Sequence, residues 1–215
     1  MRVSWAMALM IAALAATVAC SGSPDVPNEI RALAELDRGL QLQEAGNFQK
    51  ALEAYDAAVN LDPQLAEAYA RRGDVFIQYS DMNGALEQIN QALNLDPELA
   101  IAYNYRGLIM ATGNDVDGAL LDFSEAIRLN PNLVEAYLNR GRLFIEQQDL
   151  ESAIDDLDSA VELEPMSPNL FLNRGRLHML VGNLDQAAAD LEQVLAITQE
   201  EVYVVAAKEL LALIQ

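Results

Sequence analysis

Gly39, Gly73, Gly107, Gly141 and Gly175 stand 34 residues apart, with no insertion between any two. A fixed period of that length leaves room for one kind of architecture, a small unit copied end to end in which each copy touches its neighbours. A core assembled from distant segments has no reason to keep such a beat. Arg38, Arg72, Arg106, Arg140 and Arg174 precede the five glycines, and Ala51, Ala85, Ala119, Ala153 and Ala187 follow them at a fixed offset. Pro63, Pro97, Pro131 and Pro165 close the copies until Gln199 breaks the series.

One copy, residues 100–133, shows what the unit is. Ala102, Tyr103, Arg106, Gly107 and Met110 place apolar or small residues three and four apart, the spacing of an amphipathic helix. Gly113-Asn114-Asp115 interrupts that spacing. A second helix is predicted through Ala119, Leu120, Phe123, Ala126 and Ile127, and Asn130-Pro131 ends it, because a residue before proline is pushed out of the α region. Asn47, Asp81, Asp115, Asp149 and Asn183 share one place in the turn between the two helices. There a side-chain oxygen accepts an otherwise orphan backbone N–H, for about 1 kcal/mol each. Each copy is therefore expected to be a helix hairpin that cannot bury its apolar stripe alone and stacks on the next.

Glycine at the eighth position, alanine at the twentieth, a large apolar residue at the twenty-fourth (Tyr55, Ile89, Phe123, Leu157, Leu191) and proline at the thirty-second resemble the tetratricopeptide repeat. The copies run 32–65, 66–99, 100–133, 134–167 and 168–201, and the pattern departs at Glu35 and Gln199, both in end copies. The resemblance implies an all-α fold: an α-solenoid, a right-handed superhelix of five helix pairs with a concave groove lined by the first helices. It also implies a protein that binds peptides or other proteins in that groove.

The amino terminus speaks to compartment. One basic residue, an apolar stretch to Ala19 and small residues ahead of Cys20 read as a signal peptide over residues 1–19. Thr17-Val18-Ala19-Cys20 resembles a bacterial lipobox, which implies acylation of Cys20 and anchoring to a membrane by lipid; Thr17 stands where that motif usually has leucine. Simple secretion and an uncleaved anchor are the alternatives. Residues 20–31 are expected to be a tether. Ser21 after the cysteine tilts the expectation toward the outer membrane or cell surface of a bacterial envelope. Cys20 is the only cysteine, so once it is acylated no thiol is left for disulfide chemistry.

With 33 acidic and 13 basic residues the net charge is −20, which repels nucleic acid and anionic headgroups alike. Catalytic, metal and cofactor signatures are absent from the sequence. His178 is the only histidine and stands where other copies carry Leu42, Phe76, Met110 and Phe144, a core position. Asp115-Val116-Asp117-Gly118 resembles the start of a calcium loop, but Ser124 stands where its bidentate glutamate belongs. Asp155, Asp156 and Asp158 lie together on a second helix with no apolar pocket to tune them. Asp122, Asp156 and Asp190 follow Arg106, Arg140 and Arg174 by sixteen residues and are their expected ion-pair partners, whereas Ala54 and Gln88 leave Arg38 and Arg72 to find others.

By the family analogy, the second, fifth, ninth, twelfth and thirteenth positions of the first helices line the groove. The candidate contact residues are Ile77, Asn104, Leu108, Leu138, Arg142, Ile145, Leu172 and Arg176. Leu-Asn-Arg-Gly-Arg-Leu occurs at both 138–143 and 172–177, which sets Arg142 and Arg176 one repeat apart as a place for a partner's carboxylates. Beyond the repeats, residues 202–215 form a capping helix, with Thr198 as its expected N-cap and Glu201 completing a capping box. Its many apolar residues predict that a second face is covered by a partner, by a further copy of the chain or by the groove. Two readings follow. The first is a non-catalytic, membrane-tethered adaptor of the kind found among tetratricopeptide lipoproteins that aid assembly of envelope machines; the second is a scaffold that forms homo-oligomers through the last helix.

Overall fold

The computed structural model describes residues 26–214; the expected signal peptide, Cys20 and the first part of the tether lie outside the described residues. The described residues form eleven α-helices and no strand. They are α1 (Asn28–Glu44), α2 (Phe48–Leu61), α3 (Ala66–Gln78), α4 (Met82–Leu95), α5 (Ala100–Thr112), α6 (Val116–Leu129), α7 (Val134–Glu146), α8 (Leu150–Leu163), α9 (Pro168–Leu180), α10 (Leu184–Ile197) and α11 (Glu201–Ile214). None is long and apolar enough to cross a membrane. Helix α1 starts at Asn28, so residues 28–31, expected as tether, are already helical. The chain divides into two compact units whose boundary in sequence falls inside α5, between Ile109 and Met110.

In the first unit α1 packs on α2, α3 on α4, and α2 on α3. In the second, α7 pairs with α8 and α9 with α10, while α6 lies on α7 and α8 on α9. Helix α11 packs on both α9 and α10, the place a further first helix would take. The hairpins and their stacking on neighbours are thus as the repeat predicts. The twenty-fourth column supplies the large core side chains: Tyr55, Ile89, Phe123 and Leu191 are fully buried and Leu157 nearly so, against an alanine column with no exposed surface.

The small residues matter because of what they face. A Cβ on Gly39 would overlap the Tyr55 ring, and one on Gly73 would come 2.6 Å from Ile89 Cγ1. At Gly141 the same atom would stand 3.4 Å from Asp156 Cβ, an ordinary contact.

The turn inside each hairpin follows one scheme. The residues at 46, 80, 114, 148 and 182 all take positive φ, as Gly46, Ser80, Asn114, Gln148 and Gly182. The next residue donates its N–H five residues back, as in Asn47 N to Leu42 O at 2.8 Å and Asp149 N to Phe144 O at 2.9 Å. This is a Schellman closure, which satisfies carbonyls left over at the end of the first helix. The same residue then opens the second helix. Asp81, Asp115 and Asp149 accept from the N–H groups of Gly84, Gly118 and Ser152. Asn47 and Asn183 make no side-chain cap, so the expected column holds in three copies of five. Between repeats, Asp62, Asp96 and Asn130 accept from the backbone N–H two residues on, and the hydroxyls of Tyr69, Tyr103 and Tyr137 donate to the carbonyls of Pro63, Pro97 and Pro131.

The arginine column is a set of clamps. Arg140 donates to both oxygens of Asp156, at 3.0 and 2.6 Å, and to Ser124 Oγ sixteen residues back. Arg174 does the same with Asp190 ahead and Asp158 behind. Hydrogen bonding to Asp190 raises the pKa of Arg174; burial pushes the Asp156 carboxyl up against the opposing pull of Arg140. Where no acid lies ahead, Arg72 reaches back to Asp56 and Arg38 pairs with Glu35. The clamp guanidiniums also sit near rings, Arg140 at 5.8 Å from Phe144 and Arg174 at 5.6 Å from Phe171.

One expectation for the last helix needs correction. Thr198 Oγ1 accepts from Glu200 N, two residues on, and the carbonyl of Glu200 takes the first helical N–H groups, so Thr198 closes a local turn and does not cap α11. Helix α11 carries apolar residues on two faces, one of them docked on the repeats. Ala207 is buried, and Tyr203, Ala206, Leu210, Leu211 and Ile214 pack against Leu170, Phe171, Leu172, Leu191 and Val194. Val202, Val205 and Leu213 remain exposed, interleaved with Glu201, Lys208 and Glu209.

Candidate partner-binding cleft

In the second unit α7 and α9 are equivalent first helices, and their outer turns do not close on each other. Between them lies a cleft of about 400 Å³. Leu138, Ile145, Leu157, Leu177 and Leu180 give it apolar walls; Asn139, Asn173, Arg142 and Arg176 supply the polar groups. Arg142 and Arg176 are exposed, as are Ile145 and Leu180, so the walls are open to a ligand without rearrangement of the core. A few polar groups on a mostly apolar concavity are the usual constitution of a binding site. No group of His, Cys, Asp and Glu that could hold a metal ion occurs among the described residues.

Four of the eight residues expected on the groove therefore meet here: Leu138, Arg142, Ile145 and Arg176. Two others are not available to a partner. Asn104 and Leu172 are 3 % and 5 % exposed. Leu36 and Ala70, at the same fifth position, are buried as well and α11 covers Leu172, whereas Leu138, the fifth residue of its copy, is half-buried and lines the cleft. Ile77 and Leu108 belong to the first unit, half-buried against the cluster of Ala70, Ile89 and Tyr105.

The residues missed by the sequence reading lie one helical turn from those it found. Asn139 and Asn173 precede Arg142 and Arg176 by three, and Leu180 follows Arg176 by four, so they share a face. Leu180 is the thirteenth position of its copy and so one of the family's groove positions, whereas Asn139 and Asn173, at the sixth, are placed there by helical spacing alone.

The first unit carries a different inner surface. Tyr55 donates to Gln43 Oε1 at 2.7 Å, and Gln43 Nε2 donates to Asp74 Oδ2 at 2.5 Å. Arg71 donates to the Tyr105 hydroxyl at 3.1 Å and pairs with Glu67. Burial raises the pKa of both phenols, so they stay protonated donors. Gln43 and Asp74, two of the groove positions, are thus bound to each other by internal hydrogen bonds.

Family comparison agrees with this construction. Tetratricopeptide-repeat models match residues 39–80, 80–134 and 140–212. The chain belongs to the tetratricopeptide-repeat family. No curated protein matches it in sequence. Among solved structures it is similar to PilF of Pseudomonas aeruginosa, with TM-score 0.71 at 18 % identity over 87 % of this chain and 90 % of the other. It is similar to TTC0263, a thermophilic TPR protein of Thermus thermophilus, with TM-score 0.67 at 22 % identity over 84 % and 99 %. YrrB, a TPR protein described as having an unusual peptide-binding site, superposes with TM-score 0.55 at 23 % identity over 83 % and 92 %. At these identities the likeness is one of fold. A repeat array of this family with an open, mostly apolar cleft is a scaffold for protein–protein interaction.

Proposed function

We propose that the chain is a non-catalytic adaptor, held to a bacterial envelope membrane by lipid on Cys20, that captures an extended segment of a partner protein in the cleft between α7 and α9. One observation carries the binding part of this reading. Ile145 and Leu180 are 40 % and 71 % exposed on the walls of a cleft that already has its shape. Exposing large apolar side chains is unfavourable by roughly 25 cal/mol per Å², which a docked segment recovers. The anchoring part is supported by the sequence of residues 1–20 alone.

The test is selection of random twelve-residue peptides on phage against the full chain, followed by titration of synthetic peptides from the selected pool. Ile145→Glu and Leu180→Glu alter exposed positions and leave the fold intact. Each is expected to weaken the selected peptides at least tenfold. Peptides that bind these variants as well as the unmodified chain would place recognition elsewhere.

A second reading, self-association through α11, is favoured by the exposure of Val202, Val205 and Leu213. It expects a mass above that of one chain in sedimentation at micromolar concentration, reduced by Val205→Glu with Leu213→Glu. A single-chain mass throughout removes it.

A further inference from the structure

In each repeat one face of the first helix is covered by the second. The glycine at the eighth position looks that way: a Cβ on Gly73 would meet Ile89 Cγ1, and one on Gly175 would stand 3.3 Å from Asp190 Cβ. The arginine at the seventh reaches the same helix, Arg140 through Asp156 and Arg174 through Asp190. So does the eleventh residue, since a Cβ on Gly118 would come 2.9 Å from Met110 Sδ. One period beyond Arg174, Gly175 and His178, these three places fall on α11 as Lys208, Glu209 and Ala212, and all three are exposed. Val205 and Leu213, one turn before and after Glu209, are 44 % and 75 % exposed, and Val202 at 69 % prolongs the stripe. The opposite face, through Ala207, Leu210 and Leu211, is the one docked on the repeats. Helix α11 is thus a first helix whose second-helix face has no cover among the described residues. Glu209 stands in the middle of that apolar stripe, where the five copies have glycine. It makes neither an ion pair nor a hydrogen bond among the described residues.

We infer that this face of α11 docks an amphipathic helix of a partner protein, whose apolar stripe carries one Lys or Arg at its centre, set against Glu209. The inference is independent of the cleft between α7 and α9, none of whose lining lies on α11. Charge decides the occupant. Covering Val202, Val205 and Leu213 strips water from Glu209, and a buried carboxylate without a cation is costly, so the covering helix has to bring the cation. Lys208 does not serve, because consecutive side chains on a helix do not face each other. Glu200 and Glu201, exposed at the amino end of α11, and a body of net charge −20 add to the pull on a basic helix. A second copy of α11 fits less well: it would set another Glu209 into the same stripe and a second body of like charge beside the first. A helix seated as closely as those of the repeats does not fit either, because the glutamate fills the space that glycine leaves. What remains is an amphipathic helix laid along the strip by its apolar side, anchored at the centre by one ion pair.

The test is a phage library of helix-forming peptides of about eighteen residues, with five positions of one face randomised. It is selected on the full chain and counter-selected on Val205→Glu with Leu213→Glu. Apolar residues are expected at four of the five positions and Lys or Arg at the central one. A synthetic peptide of that pool should lose binding about tenfold or more against Val205→Glu and against Glu209→Lys. The same peptide with Glu at its centre should regain binding on Glu209→Lys, whereas Ile145→Glu, in the cleft, should change nothing. All these positions are exposed, so the variants keep the fold, which circular dichroism verifies. A pool indifferent to Val205→Glu, or one with an apolar or acidic residue at the centre, would overturn the inference. So would binding lost with Ile145→Glu, which moves the helix to the cleft. A dimer of the chain in sedimentation that Val205→Glu dissolves would overturn it as well, and make a second copy the occupant. The proposed role of the cleft stands in each case.

Discussion

A methyl group added to one column of this chain has different consequences in different copies. At Gly39 it would enter the Tyr55 ring, whose position is fixed by its bond to Gln43, so the helices must part. Gly39→Ala is expected to cost about 1–3 kcal/mol in urea unfolding. Gly141→Ala meets only van der Waals contact and gains helix propensity of about 1 kcal/mol, so its stability stays level or rises. Equal losses at the two sites would contradict this contrast. The clamps differ in a similar way. Asp156 is 4 % exposed and Asp158 48 %, although both pair with an arginine. Removing the buried acid by Asp156→Ala leaves Arg140 half-buried without its mate and should cost about 3 kcal/mol, against less than about 1 kcal/mol for Asp158→Ala, again read from urea unfolding. The forward partner was legible from the sixteen-residue spacing. The backward one was not, because Asp56, Ser124 and Asp158 differ in residue type and reveal themselves as a column only when the hairpins are stacked.

At the scale of the element, the hairpin turn shows why some features could be read and others could not. Asp and Asn recur at the N-cap and announce it. The residue before them carries the left-handed conformation as Gly46, Ser80, Asn114, Gln148 and Gly182, a mixture with no common chemistry, since the Schellman bonds impose the conformation through the backbone. Glutamine gains nothing from that conformation. Gln148→Gly is therefore expected to raise stability by about 1 kcal/mol, measured as a shift of the urea midpoint at unchanged slope, while Gly182→Ala should lower it by a similar amount. The capping helix was legible as a helix but not in its docking: period alone could not tell that Tyr203, Leu210 and Leu211 face α9 and α10 while Val205 and Leu213 face outward. The fifth-position column divides for the same reason, with Asn104 and Leu172 buried and Leu138 in the cleft wall. Whether a residue looks into a groove or into the neighbouring hairpin depends on the stacking of repeats, which amphipathic spacing does not encode.

For the molecule as a whole, the repeat sets the fold and the local departures from it set the role. The arginines at 142 and 176 appear in only two copies, and in those copies the first helices leave a cleft with open apolar walls. The first unit spends its corresponding positions on internal bonds among Gln43, Tyr55 and Asp74. The proposed membrane attachment has its own check: Cys20→Ser should move the chain from the membrane fraction to the soluble one, and retention would favour an uncleaved apolar segment. The central claim is that partners are held between α7 and α9. A photoreactive benzoylphenylalanine in place of Ile145, or in place of Leu121 on α6 as an equally accessible apolar control, tests it in living cells that produce the full chain. A discrete crosslinked partner is predicted from position 145, lost when Arg142→Glu and Arg176→Glu are added, and none from position 121. A partner captured only from position 121, or none from 145, would contradict it.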